Sequence, residues 1–241
     1  MTWFARGGDE YAAHRPTYSG ALASVLSSLA PDRELAVDVG CGTGQLTALL
    51  AEHFDAVVGV DPSQSQIAAA VHAPNIEYRV GPAERLDVAD GSASIVTAAQ
   101  AAHWFDLPAF YDEARRIARA GAVIALITYG VVALDDDLAE RFDRFYRDEI
   151  GPYWPPERVH VDSAYADLPF PFARVDVSVS PIERDWTLDD FVDYVGTWSA
   201  TRRARDAGAG HLVESMRADF ASHWGDRRRI TWPVTVIAGK R

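Results

Sequence analysis

A glycine-rich loop held between two short apolar runs constrains this chain more than any other feature. Val37-Asp38-Val39-Gly40-Cys41-Gly42-Thr43-Gly44-Gln45 is followed, about a helix and a strand later, by Val58-Gly59-Val60-Asp61. Strand, tight turn, helix and second strand make a βαβ unit. An aspartate near the C-terminal end of each strand brings two carboxylates to the crevice where such sheets bind ligands.

The rest of the first half keeps the same rhythm. Leu22, Val25 and Leu29 predict a helix over Gly20–Leu29, broken by Pro31-Asp32-Arg33. Strands are expected at Leu35–Val39, Val57–Val60, Ile76–Val80, Ser94–Ala98 and Ala122–Tyr129, and helices at Gly44–Phe54, Ser63–Val71 and Pro108–Ala120. Strands alternating with helices over short connections predict an α/β, doubly wound parallel sheet with helices on both faces. After Tyr129 the pattern changes. Leu138, Phe142, Phe145, Tyr146 and Ile150 predict one helix ending at Gly151-Pro152, and a Tyr153-Trp154-Pro155-Pro156 stretch follows. A strand over Arg174–Ser180, a helix over Leu188–Trp198 and a final strand over Arg229–Ala238 complete the reading. The expected organisation is one domain over 1–241, with residues 131–170 inserted as a helical and irregular cap over the cleft.

Composition narrows the partners. The 241 residues are 48% hydrophobic, enough to bury a full core. A net charge of −12 repels phosphate backbones and anionic membranes, so neither nucleic acid nor a membrane is expected. No apolar run approaches 18 residues and no signal-peptide pattern opens the chain, which predicts a cytoplasmic protein; a monomer is the default. Cys41 is the single cysteine, so no intramolecular disulfide forms, and it reads as a small residue in a tight loop. The histidines and acids show no metal-ligand spacing, and no metal site is expected.

The loop separates two ligand classes. Gly40 and Gly42 fit the dinucleotide fingerprint, but its third glycine falls on Gln45 and Gly44 comes one residue early. Asp38 also precedes the loop, where a carboxylate would face pyrophosphate. An ammonium at that point welcomes the acid instead. S-adenosylmethionine presents an α-amino group and a sulfonium and carries no phosphate.

The stretch resembles motif I of the class I S-adenosylmethionine-dependent methyltransferases. That resemblance implies a seven-stranded, mostly parallel, Rossmann-like sheet with an antiparallel last strand. It also implies that Asp61, with Pro62 after it, accepts the ribose hydroxyls, and that Gly81-Pro82-Ala83-Glu84 contacts adenine through Ala83 with Glu84 beside it. Tyr11-Ala12-Ala13-His14-Arg15-Pro16-Thr17-Tyr18, Ala99-Gln100-Ala101-Ala102-His103-Trp104-Phe105-Asp106 and Trp198-Ser199-Ala200-Thr201-Arg202 are similar to segments of the trans-aconitate methyltransferase-like (methyltransferase type 11) group. By that likeness residues 1–20 form a lid over the cofactor, Arg15 and Tyr11 pair with the methionine carboxylate, and Gln100 lies beneath the sulfonium. The cofactor set implied is Tyr11, Arg15, Asp38, Gly40, Cys41, Gly42, Gly44, Asp61, Pro62, Ala83, Glu84 and Gln100.

Methyl transfer from a sulfonium is an in-line displacement with an activated leaving group, so the protein chiefly aligns the acceptor in a dry pocket. A base is needed only for an acceptor protonated at working pH; a carboxylate needs a cationic clamp instead. His103 is the candidate catalytic residue, as a base, as a hydrogen-bond partner of the acceptor, or as a structural tie. His103, Trp104, Trp154, Trp198 and Arg202 are the candidate substrate residues, each with packing or an exposed helix face as the alternative. The expected activity is methylation of a small molecule, with a carboxylate or other oxygen favoured. A nitrogen or carbon methyltransferase, a nicotinamide oxidoreductase and a non-catalytic cofactor-binding module are the alternatives.

Overall fold

The computed structural model describes residues 15–241. In chain order its elements are α1 (Gly20–Leu29), β1 (Leu35–Val39), α2 (Gln45–Ala51), β2 (Ala56–Asp61), α3 (Gln64–Ala68), β3 (Ile76–Val80), β4 (Ala93–Ala99), α4 (Leu107–Ile117) and β5 (Ala118–Tyr129). There follow α5 (Asp136–Arg144), α6 (Arg158–Asp162), β6 (Ala173–Val175), β7 (Ile182–Trp186), α7 (Leu188–Gly196), α8 (Ser199–Asp206), α9 (His211–Ala221), β8 (Arg228–Trp232) and β9 (Val234–Lys240). Seven strands form one sheet in the order β3-β2-β1-β4-β5-β9-β6, parallel except for β9. The strand order reverses between β1 and β4, and at that switch point the crevice opens.

The sheet is buried on both faces. Ala36, Ile95, Val123, Ala125 and Ile127 pack with Leu22, Leu26, Leu46 and Leu50 of α1 and α2. Val37, Val39, Val96, Ile124 and Leu126 pack on the other side with α4. Helix α4 shows how the sequence builds one layer. Asp106 caps its N-terminus by accepting the Ala109 N–H (3.3 Å), Pro108 fits its first turn, and Leu107, Phe110, Tyr111, Ala114 and Ile117 form one buried stripe. Each such fully buried large side chain contributes roughly 1.5–3 kcal/mol.

The second half departs from the sequence reading in three places. The helix expected through Ile150 changes at Phe145 into a π-helical turn, Phe145–Glu149, which repositions Tyr146. The strand expected over Arg174–Ser180 is cut to Ala173–Val175, and β7 forms instead at Ile182–Trp186. The single last strand is in fact two: β8 pairs with β7 in a separate ribbon, and β9 joins the main sheet. Pro233 lies between them; it has no N–H to continue a ladder, while its carbonyl accepts from Gly130 (2.9 Å). The basic run Arg227–Arg229 is spent on this ribbon: Arg228 pairs with Asp137 (2.5 Å) and Arg229 with Asp185 (2.9 Å). Among the described residues no helix is long and apolar enough to cross a membrane.

Candidate functional site

The glycine loop turns from β1 into α2 through left-handed backbone. Gly40 and Gly44 have φ of +69° and +78°, a conformation costly for any residue with a Cβ. A Cβ on Gly40 would stand 2.4 Å from that of Ala101, and one on Gly44 2.0 Å from the Tyr78 hydroxyl. Gly42 differs: its nearest neighbour would be 3.7 Å away, so its open side faces the crevice. The loop is tied down by the Gly40 and Cys41 N–H groups, both donating to Val60 O at 2.7 and 3.1 Å. Tyr78, on β3, lies across Gly44 and Gly59 and donates to Val71 O (2.8 Å).

Two carboxylates stand at the strand ends. Asp38 shares the face of Ala36, since strand residues alternate. Its Oδ2 accepts from Thr47 Oγ1 (2.7 Å) and its Oδ1 from Thr97 Oγ1 (2.8 Å), and only 1% of it is exposed. Burial pushes its pKa up to about 6, against the pull of the two hydroxyls. Asp61 accepts the Gly42 N–H at Oδ2 (2.9 Å) and the Ser63 N–H at Oδ1 (2.8 Å), fastening the loop to the end of β2. Burial raises its pKa too.

A cavity of about 530 Å³ opens between these carboxylates, and its lining includes Arg15, Tyr18, Asp38, Gly42, Asp61, Gln100 and Tyr129. Arg15 donates through Nη2 to Thr197 O (3.3 Å) and through Nη1 to the Tyr129 hydroxyl (3.4 Å). Gln100 sits at a φ of +52°, unusual for a residue with a side chain. Its Nε2 donates to Tyr129 O (3.0 Å), which fixes the amide so that Oε1 accepts from Thr128 Oγ1 (3.0 Å).

A smaller cavity of about 90 Å³ adjoins the first and shares Arg15, Gln100, Trp104 and Tyr129 with it. Its further lining includes His103, Trp154, Arg158 and Arg202. Arg158 is anchored through Nε to the Tyr146 hydroxyl (2.8 Å) and to Asp162 (3.0 Å), with its guanidinium 4.5 Å from the Trp154 ring. The Nη nitrogens of Arg158 have no hydrogen-bond partner among the described residues. His103 Nδ1 lies 2.7 Å from the hydroxyl of Tyr165, a fully buried residue. Burial, followed by the charges of Arg158 and His160, lowers the His103 pKa to about 3, so the ring is neutral at any physiological pH.

Of the residues singled out in the sequence, Arg15, Asp38, Gly40, Cys41, Gly42, Asp61, Pro62, Gln100 and Trp104 line the large cavity, and His103, Trp154 and Arg202 line the small one. Gly44 shapes the loop from behind, against Tyr78. Ala83 and Glu84 are placed elsewhere: Ala83 is buried in the core beside α4, and Glu84 accepts the Asp106 N–H (2.9 Å). Trp198 is corrected from substrate residue to core. It is 3% exposed among Phe142, Phe145, Tyr146, Trp154 and Tyr194, and lines neither cavity. Tyr11 lies outside the described residues. Burial lowers the His103 pKa, which makes its imidazole a weak base. Burial drives the Cys41 thiol pKa far up, against any nucleophilic role. Sequence reading missed Tyr78, Thr47, Thr97, Arg158 and Tyr165. Among the described residues no cluster of His, Cys, Asp and Glu would hold a metal ion.

Comparison with known proteins shows what the chain is similar to. Residues 37–126 match the model of a methyltransferase domain family. A Dictyostelium discoideum protein named as a methyltransferase is 34% identical over 99% of this chain and 94% of its own. A solved structure from Anaeromyxobacter dehalogenans, described as a type II methyltransferase, superposes with a TM-score of 0.87 at 42% identity, over 94% of this chain and 97% of that one. The trans-aconitate 2-methyltransferase of Deinococcus radiodurans is 34% identical over 52% of this chain and 49% of its own.

The chain belongs to the methyltransferase family, as a class I, S-adenosylmethionine-dependent enzyme. The residues present fit that cofactor. Two desolvated carboxylates suit a ribose diol and an ammonium and oppose a pyrophosphate, and the open side of Gly42 leaves room for the ligand. When bound, S-adenosylmethionine supplies an electrophilic methyl group on its sulfonium.

Proposed function

We propose that this enzyme methylates an oxygen of a small carboxylate acceptor held in the smaller cavity. One observation carries the reading. In a chain of net charge −12, that cavity is lined by Arg15, Arg158 and Arg202 and, among the described residues, by no carboxylate. Trp154 adds a donor of its own: Nε1 is buried and has no hydrogen-bond partner among the described residues. Arginine suits a carboxylate because its planar fork donates two parallel hydrogen bonds. The Deinococcus relative is named for an acid acceptor, which supports the same class.

Within this reading Asp61 takes the ribose hydroxyls, Asp38 the α-ammonium and Arg15 the methionine carboxylate, while Gln100 and Trp104 stand where the two cavities meet. A carboxylate is ionised at neutral pH and needs no base, which suits a site where the lining histidine, His103, has its pKa lowered by burial. The acidic surface favours small molecules over nucleic acid.

The test is transfer of labelled methyl from S-adenosylmethionine to a panel of carboxylic acids, phenols and amines. Base-labile methyl esters, formed from the acids in preference to the phenols and amines, are the expected product. Base-stable products on nitrogen or carbon would overturn the oxygen assignment. Cofactor binding without turnover would return the protein to the binding-module alternative.

A further inference from the structure

Arg158 lines the smaller cavity, and the two side chains that grip it lie outside that lining. Its Nε–H is shared between the Tyr146 hydroxyl (2.8 Å) and Asp162 Oδ1 (3.0 Å). The Tyr146 hydroxyl gives its own hydrogen to the same Oδ1 (2.7 Å), so the three groups close a triangle. Burial raises the Tyr146 pKa, and the phenol keeps the hydrogen it donates. The guanidinium carbon stands 4.5 Å from the Trp154 ring and 5.6 Å from the ring of Tyr146.

The triangle differs from an ordinary ion pair. Asp162 follows Arg158 by four residues on α6, a spacing at which such a pair forms without help. Left to itself, a carboxylate grips a guanidinium with both oxygens, on two adjacent nitrogens. Here Asp162 meets Nε with one oxygen, and neither Nη has a hydrogen-bond partner among the described residues. What stands on that oxygen is the Tyr146 hydroxyl. Tyr146 is itself fixed: it is buried in the π-helical turn Phe145–Glu149, closed by the Ile150 N–H donating to Phe145 O (2.8 Å). Such turns recur at functional sites.

We infer that Tyr146 is a positioning residue: by holding Asp162 on Nε it keeps the Nη edge of Arg158 open, so that the anionic end of the acceptor meets this arginine end-on, through Nη1 and Nη2. Without the hydroxyl, Asp162, whose side chain is exposed and free to turn, takes an Nη and competes with the acceptor for it. The end-on geometry rests on the carboxylate reading above; the hold of Tyr146 on Asp162 does not.

The experiment has two arms. The first compares crystal structures of the parent protein and Tyr146→Phe, a variant that keeps the ring against Trp154 and loses only the hydroxyl. We expect Asp162 on an Nη of Arg158 in the variant; an Asp162 still on Nε alone overturns the hold. In the second arm, protein loaded with S-adenosylhomocysteine is titrated with acetate by calorimetry. Tyr146→Phe should bind acetate about fivefold more weakly, the size of one hydrogen bond, with S-adenosylhomocysteine affinity unchanged. Asp162→Asn should alter the parent's acetate affinity by no more than about twofold, since the charge it removes is exposed. Added to Tyr146→Phe, it should restore most of the loss, because a neutral amide competes poorly for a guanidinium. Equal binding by Tyr146→Phe and the parent overturns the positioning role. No recovery in the double variant does the same, since that is the outcome of a merely structural loss. If the parent fails to bind acetate, or binds it equally well in Arg158→Met, the carboxylate reading falls, while the crystal structures still decide what Tyr146 does to Asp162.

Discussion

Thr97 stands opposite Asp38 in the parallel register of β1 and β4, and its hydroxyl donates to the Asp38 carboxylate at 2.8 Å. With Thr47 on the other oxygen at 2.7 Å, the acid is held still in the wall of the larger cavity. That arrangement orients a charge while leaving it poorly solvated.

A pH dependence follows from Asp38. Its folded pKa is about 6 against 3.8 for the model carboxyl, so the folded state holds the proton more tightly. Its contribution to stability is therefore full below about pH 4 and is lost as pH rises through 6. Above that the ionised group costs on the order of 3 kcal/mol. Asp38→Asn should raise the melting temperature of the ligand-free protein at pH 8 and change it little at pH 4. The same variant should bind S-adenosylhomocysteine at least tenfold more weakly at pH 8, and the parent protein should lose affinity as pH falls from 7 to 5. Calorimetry at these four pH values reads both effects.

The three glycines of the loop should respond differently to alanine. Gly40→Ala sets a methyl 2.4 Å from the Ala101 Cβ on a strained backbone, so thermal unfolding should show a loss of several kcal/mol. Gly44→Ala has the same outcome through Tyr78, and Tyr78→Ala in the same chain should recover part of it. Gly42→Ala meets nothing closer than 3.7 Å, so it should cost only about 1–2 kcal/mol of backbone strain. Its methyl points into the cavity, however, and S-adenosylhomocysteine affinity should drop more than tenfold.

Asp61 serves the fold and the ligand together. Asp61→Ala frees the Gly42 and Ser63 N–H groups, at a cost of about 1–3 kcal/mol in a urea melt. Asp61→Asn keeps one oxygen acceptor and should lose about half as much. Both variants should bind S-adenosylhomocysteine at least several-fold more weakly. A variant that lost stability but kept full affinity would show Asp61 to be a loop fastener alone.

The sheet and loop were legible because period and turn chemistry are local. Short apolar runs between turn signals gave β1 to β5, and Gly40, Gly42, Asp38 and Asp61 were readable from their spacing alone. The second half was less so. Nothing but Pro233 marks the division of β8 from β9, and the π-helical turn at Phe145 preserves the apolar spacing that suggested a continuous helix. Trp198 and Arg202 lie four residues apart, yet packing buries one and sends the other to the cavity, which no periodicity distinguishes. Arg158 and Tyr165 were invisible for another reason: their partners are 12 and 62 residues away in sequence. The Thr97 partnership had a weak signal, since β1 and β4 were both recognised and their register would have aligned it with Asp38.

Arg158 gives the sharpest separation of acceptor from cofactor. It lines the smaller cavity and not the larger, while its Nε is satisfied by Tyr146 and Asp162 and its plane by Trp154. Arg158→Met keeps the apolar contact with Trp154 and removes the charge. Asp162 is 39% exposed, so the lost ion pair should cost no more than about 1 kcal/mol of stability. S-adenosylhomocysteine affinity should stay within twofold of the parent. For a carboxylate acceptor KM should rise tenfold or more with kcat nearly unchanged, because a charge-assisted clamp binds ground state and transition state alike. Arg158→Lys should recover only part of the loss, as an ammonium cannot supply the two parallel donors of the guanidinium. If kcat fell instead and KM held, Arg158 would be acting on the reacting oxygen and the acceptor would sit deeper, against Gln100.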